Sequence, residues 1–194
     1  MMKRICVFAG SSPGGRPEYA NAARDLGKAL VPRHLELVYG GGDIGLMGIV
    51  ADAVLELGGN VVGVIPRALV DRDVAHHRLT ELRVVASMHD RKAQMEELSD
   101  GFVVLPGGFG TLEEFLEILT WAQLGIHSKP CGLLNVAGYY DTLLEFLDQT
   151  VESQFVKQEN RDLVIVEESV AALLDRFERY DPPEVKKWAD SSET

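Results

Sequence analysis

Three times in this chain a short apolar run breaks on a cluster of glycines and then gives way to residues spaced for a helix: ICVFA into GSSPGG over 5–15, LELVY into GGGDIG over 35–45, and FVVL into PGGFGT over 102–111. An apolar run of four or five residues bounded by turn signals is the pattern of a strand covered on both faces. Strands of that kind separated by helices return parallel to one another, and helices on both faces bury what the strands expose. The spacing predicts strands over 5–9, 35–39, 60–65, 82–86, 102–105, 129–135 and 162–166. Helices are predicted over 18–31, 46–57, 90–99, 111–125, 139–155 and 168–178, and the polar stretch 67–82 reads as a loop at a pocket rim with at most a short helix. The fold class is α/β, a mostly parallel sheet with helices on both faces; strand order is not written in such a pattern. A chain of 194 residues builds one sizeable core but not two. Residues 1–180 are therefore read as a single domain, and the polar stretch 181–194, which contains Pro182-Pro183, as a tail.

A formal charge of -11 argues against a chain that coats nucleic acid or an anionic membrane, although a local positive pocket for a small anion survives within an acidic whole. No run approaches the roughly 20 apolar residues that span a bilayer. The amino terminus, MMKRICVFAGSSPGG, is basic and briefly apolar but breaks too soon for a secretory signal, so the cytoplasm is the expected compartment. Cys6 and Cys131 form no CxxC pair and lie in strand-like runs, which reads as small buried thiols rather than a disulfide or a zinc site. His76, His77 and His89 show neither HExxH nor another ligand spacing, and chemistry without metal or cofactor is expected.

The glycine turns are where ligand chemistry fits. Gly10 and Ser11 open the first, where backbone and hydroxyl can meet a phosphate, though such residues also end strands and cap helices. Gly41 and Gly42 belong to the second, a backbone wall with room for a ligand. Neither turn ends in the GK[ST] of a P-loop, and the acidic residue that meets the ribose in a dinucleotide site is not in place. A simple dehydrogenase or ATPase is set aside, and several turns around one mononucleotide above the sheet remain. The third turn brings reactive side chains. With a helix beginning near Thr111, Glu114 lies in its first turn and Glu117 one turn further, while Glu113 faces elsewhere. Thr111 and Glu114 have the spacing of a capping box, and equally that of an anion-holding helix entrance with a carboxylate beside it. Glu117 reads as a solvated charge and Phe109 as a lid or a base-stacking ring. In MHDRK at 88–92, Arg91 can give two directed bonds to phosphate or ribose, and its helix neighbour Lys92 faces another way, as a rim contact or surface charge.

Four segments together, CVFAGSS at 6–12, VYGGGDIGLMG at 38–48, LTELRVVASMHDRK at 79–92 and PGGFGTLEE at 106–114, resemble the LOG (Lonely Guy) family of cytokinin riboside 5'-monophosphate phosphoribohydrolases, often mislabelled lysine decarboxylases. The resemblance runs over most of residues 3–178 and implies a Rossmann-like fold, no cofactor, and a homodimer whose interface contributes to the active sites. It implies Arg91 and Glu114 as the catalytic pair. Nucleotide contacts would come from Lys92, from Gly108, Phe109, Gly110, Thr111, Leu112 and Glu113 in the turn, and from Thr120. Asp73 stands where many relatives carry Glu, an acceptor with shorter reach. The implied reaction is hydrolysis of the N-glycosidic bond of an N6-modified adenosine monophosphate, or of AMP, to free purine and ribose 5-phosphate. A broader purine or pyrimidine nucleotide nucleosidase and a non-catalytic nucleotide-binding module are the alternatives. Met47, Met88 and Phe109 are candidates for an apolar rim around an N6 substituent, and Trp121 for a pocket or partner contact.

Overall fold

A computed structural model describes residues 2–70 and 75–183. Each apolar run predicted as a strand forms one, and all the described strands pair in parallel. In chain order the elements are β1 (Arg4–Phe8), α1 (Pro17–Leu30), β2 (Glu36–Tyr39), α2 (Gly45–Glu56), β3 (Val61–Pro66), α3 (Arg67–Val70), β4 (Glu81–Val85), α4 (Met88–Leu98), β5 (Gly101–Val104), α5 (Phe109–Gln123), β6 (Cys131–Leu134), α6 (Asp141–Glu152), α7 (Gln158–Arg161), β7 (Val164–Glu167) and α8 (Val170–Glu178). Short 3-10 turns lie at Val31–Arg33 and Val136–Gly138.

The strand order is β4-β3-β2-β1-β5-β6-β7. From β1 the chain builds outward to β4, then α4 carries it back under β3, β2 and β1 to start β5 on the other side. Between β1 and β5 the direction of growth reverses, so the loops leaving these two strands diverge and open a crevice at their carboxyl ends. The crevice floor is closed by Leu105 N–H donating to Phe8 O at 2.9 Å and Gly10 N–H donating to Pro106 O at 3.1 Å.

Alternate residues of the central strands feed two apolar layers, as a sheet covered on both sides requires. Ile5, Val7, Leu37 and Val103 face α1, α2 and α8; Cys6, Phe8, Val38, Phe102 and Val104 face α4 and α5, with Leu143, Leu144 and Leu147 of α6 packed outside. Both thiols lie in the second layer, free and buried. Burial pushes the Cys131 thiol up to about 12, which leaves it an inert apolar group.

The helix bounds differ from the spacing in an instructive way. α4 begins at Met88, two residues before the predicted start, because Ser87 caps it: Asp90 N–H donates to Ser87 Oγ at 3.1 Å, and that hydroxyl donates to Asp90 Oδ2 at 2.8 Å. α5 also begins two residues early, at Phe109, with Gly108 as its cap position. α6 stops at Glu152 rather than 155, and Gln154 beyond it takes a left-handed φ of 62°.

Candidate active site

α4 places Arg91 beneath the carboxyl ends of the central strands, and the side chain reaches the sheet edge. Its Nε donates to the carbonyl of Val64 on β3 at 3.1 Å. The guanidinium then lies over Gly40, the first residue after β2: a Cβ there would stand 2.0 Å from Arg91 Nη2. Gly40 is glycine because the arginine occupies the space of its side chain. From the other side α5 delivers Glu114, whose Oε1 accepts from Arg91 Nη1 at 2.8 Å. Both residues are only 8% exposed, so the pair is formed away from bulk water.

Such a pair is not explained by stability, since the desolvation of two charges offsets most of their attraction. Burial raises the Glu114 carboxyl above the ordinary glutamate range; the Arg91 charge pulls it down, Glu113 pushes it up, and the net displacement is upward. A carboxyl displaced by burial and paired with a buried arginine, at the crevice where strand order reverses, is a combination enriched at reactive sites.

Lys92 turns away from Arg91, as its helix position requires. Its Nζ meets Glu113 Oε1 at 2.5 Å and Glu117 Oε1 at 2.9 Å. Burial works against the lysine charge, but the two carboxylates outweigh it and hold the ammonium above its usual range. Glu117 is therefore not the solvated helix charge its spacing suggested; among the described residues its Oε2 is buried without a partner. The capping-box reading of Thr111 and Glu114 also gives way. With Gly108 at the cap and no side-chain cap bond, Thr111 sits at the third helical position, buried, and Glu114 is committed to Arg91. The amides of Phe109, Gly110 and Thr111 lack intrahelical partners, and the helix dipole aims their positive end outward. The entrance of α5 can therefore hold an anion.

Gly10, Ser11 and Gly108 come together, with Tyr19, Leu46 and Tyr139, around a cleft of about 290 Å³ on the α1 side of this entrance. Gly41 and Gly42 are engaged elsewhere: Gly41 O accepts from His76 N–H at 2.9 Å, and Gly42 bridges to Ala75. His76 is itself buried against Asp52, with Nε2 at 3.0 Å from Oδ1, while its Nδ1 accepts from Arg78 N–H at 3.2 Å. These contacts tie the second glycine turn to residues 75–76. Phe109 is 94% exposed. With Leu112, Glu113, Thr120 and Trp121 it borders an open concavity along the outer side of α5. Thr120 donates to Leu116 O at 2.6 Å, on a different face of α5 from Glu114. Asp73 lies outside the described residues. Sequence reasoning read Gly40 only as part of the glycine wall and not as the seat of Arg91, and passed over Tyr139 as an individual residue.

Residues 47–177 match a family model described as "Possible lysine decarboxylase". Two cytokinin riboside 5'-monophosphate phosphoribohydrolases of Arabidopsis thaliana are 52% and 53% identical to this chain, covering 93% and 92% of it and 84% and 83% of their own lengths. Among solved structures, a molybdenum cofactor carrier protein of Chlamydomonas reinhardtii aligns with a TM-score of 0.67 at 20% identity, covering 92% of this chain and 98% of that one. A molybdenum cofactor binding protein of Rippkaea orientalis aligns with a TM-score of 0.69 at 19% identity, covering 92% and 97%. These two likenesses are of fold.

Proposed function

Since this chain belongs to the LOG family of cytokinin riboside 5'-monophosphate phosphoribohydrolases, we propose that it hydrolyses the N-glycosidic bond of N6-modified adenosine monophosphates, and of AMP, releasing the free purine and ribose 5-phosphate. The observation that carries the reading is the buried Arg91–Glu114 pair beside an uncapped helix entrance. The 5'-phosphate is held by the amides of Phe109, Gly110 and Thr111, with Gly10, Ser11 and Gly108 around it. Holding that end positions the sugar, converting an encounter with water into an oriented attack.

Water adds its oxygen to the anomeric carbon as the bond to the purine nitrogen breaks. The bonding electrons leave with the purine, which gains a proton, while the proton shed by water is taken up by the site or by solvent. The sugar passes through a state of oxocarbenium character, and the ionised Glu114 stabilises that charge and orients the water. Arg91 keeps the carboxylate in place and anchors ribose or phosphate. Asp73, Gly41, Gly42, Lys92, Leu112, Glu113 and Thr120 are further contacts on this reading, and Phe109 covers the bound base.

A homodimer belongs to the same reading. Phe109, Leu116 and Phe146 leave large apolar surface exposed on α5 and α6, the kind of surface a second copy covers. Among the described residues no helix is long and apolar enough to cross a membrane. The two unpaired thiols fit a reducing, cytoplasmic compartment.

The deciding experiment is turnover of AMP, isopentenyl-AMP, GMP and CMP, with base and sugar phosphate both quantified. Equal amounts of the two products, released fastest from the adenine nucleotides, are expected. A faster rate on CMP overturns the purine assignment, and stable binding without product overturns catalysis.

A further inference from the structure

After β6 the chain makes a turn whose construction exceeds what a connection needs. Asn135 is buried and spans it, donating from Nδ2 to Asp141 Oδ1 at 2.7 Å and accepting at Oδ1 from Tyr140 N–H at 2.8 Å. Ala137 takes a left-handed φ of 52°, a conformation that costs a residue with a Cβ about 1 kcal/mol or more. Its carbonyl accepts from Arg16 Nη1 at 3.4 Å, tying the turn to the start of α1.

What the turn delivers is two adjacent tyrosine hydroxyls onto the loop between β5 and α5. Tyr140 donates to Leu105 O at 2.7 Å from within the core. Tyr139 donates to Gly107 O at 2.6 Å from the cleft, its ring packed edge-on against Tyr19 and Tyr140 with centroids 5.4 and 4.9 Å away. The two bonds have different consequences. In a trans peptide the carbonyl and the following N–H point in opposite directions. The residue after Leu105 is Pro106, which has no N–H to aim. The residue after Gly107 is Gly108, the cap of α5, whose surroundings are open: a Cβ there would meet nothing within 4 Å. On the Gly107 side Thr111 and the Gly10 backbone crowd the α-carbon, while the Gly108 side is open, and the hydrogen bond from the Tyr139 hydroxyl holds the carbonyl between them.

We propose that Tyr139 is a positioning residue for phosphate binding: by holding the carbonyl of Gly107 it turns the Gly108 N–H to the opposite side, where it joins the first amides of α5 around the 5'-phosphate. This rests on the phosphate site proposed above. The test uses inorganic phosphate as the probe and the phosphate-induced rise in thermal midpoint as the readout, which needs no turnover. Phosphate stabilises the native protein. Tyr139→Phe weakens its binding roughly three- to tenfold, the worth of one hydrogen bond, and raises KM for the nucleotide by the same factor with kcat little changed. Tyr140→Phe lowers the ligand-free midpoint, because it leaves a buried carbonyl unpaired, yet keeps phosphate affinity. Unchanged phosphate affinity in Tyr139→Phe overturns the proposal. So does an equal loss in Tyr140→Phe, which would mean that any loosening of the loop suffices. Absence of phosphate stabilisation in the native protein defeats the phosphate site itself, and with it the role of Tyr139.

Discussion

Of the three carboxylates on α5, Glu113 lies at the surface and Glu117 shares Lys92 with it, while Glu114 is shut away with an arginine. Replacing Glu114 with Gln keeps the shape and an acceptor for Arg91 but removes the charge that meets the developing cation. Product release should fall by about 10²–10⁴-fold with KM little altered; normal turnover by that protein would sink the assignment. The pH dependence follows from the direction of the carboxyl shift. Because the folded pKa is raised, the folded state holds this proton more tightly than the unfolded chain does. The group therefore favours folding in acid, and that contribution is lost as pH rises through the raised folded value. Activity needs the ionised form and should rise across the same window. Carbon-13 NMR of the Glu114 carboxyl, assigned with the Gln variant, should show titration above the ordinary glutamate range; titration within or below that range contradicts the burial argument. Gly40→Ala should reduce kcat/KM by roughly 10²-fold, since the new methyl displaces the Arg91 guanidinium. An unaffected rate would show that the arginine need not lie there. Arg91 and Glu114 were recognisable as a pair only through resemblance to a family. Spacing left Glu114 with a helix-capping alternative and Arg91 with a surface ion pair, because burial is set by what the other helix brings.

The helices that carry the pair owe their placement to their first residues. α4 begins where Ser87 can cap it, and the cap fixes which residue of the MHDRK run meets the sheet. Ser87→Ala should cost about 1 kcal/mol in urea unfolding; a variant as stable as the native protein would mean the cap contributes nothing. α5 shows the opposite choice. It starts on Gly108 without a side-chain cap, leaving its amides open at the crevice. The hydroxyl-to-carboxylate spacing from Thr111 to Glu114 resembled a cap in sequence because it was counted from the wrong residue. Glycine permits a helix to begin earlier than the first capping side chain. Glu117 was misjudged for a related reason: periodicity along α5 shows which residues share its face, but not that α4 presents Lys92 against them.

At the scale of the molecule, light scattering with size exclusion should give a mass near twice 21.3 kDa, and Leu116→Glu, on the exposed side of α5, should shift it toward the monomer. A native protein that runs as a monomer with full activity removes any need for a partner. The described strands, a largely parallel sense and the longer helices between them were legible from the chain alone, since apolar runs closed by glycine turns have few other ways to bury their surface; the short α7 was not. The family was legible too, from motifs too long and too numerous to coincide. Tertiary structure alone decided the strand order, and with it that β1 and β5 are neighbours although much of the chain lies between them. It decided that Arg91 fills the space left by Gly40, and that a tyrosine beyond β6 reaches the turn after β5. A local pattern records what each segment must bury. Which distant segment buries it depends on how the crossovers stack, and the charges and hydroxyls of the site meet only once that stacking is complete.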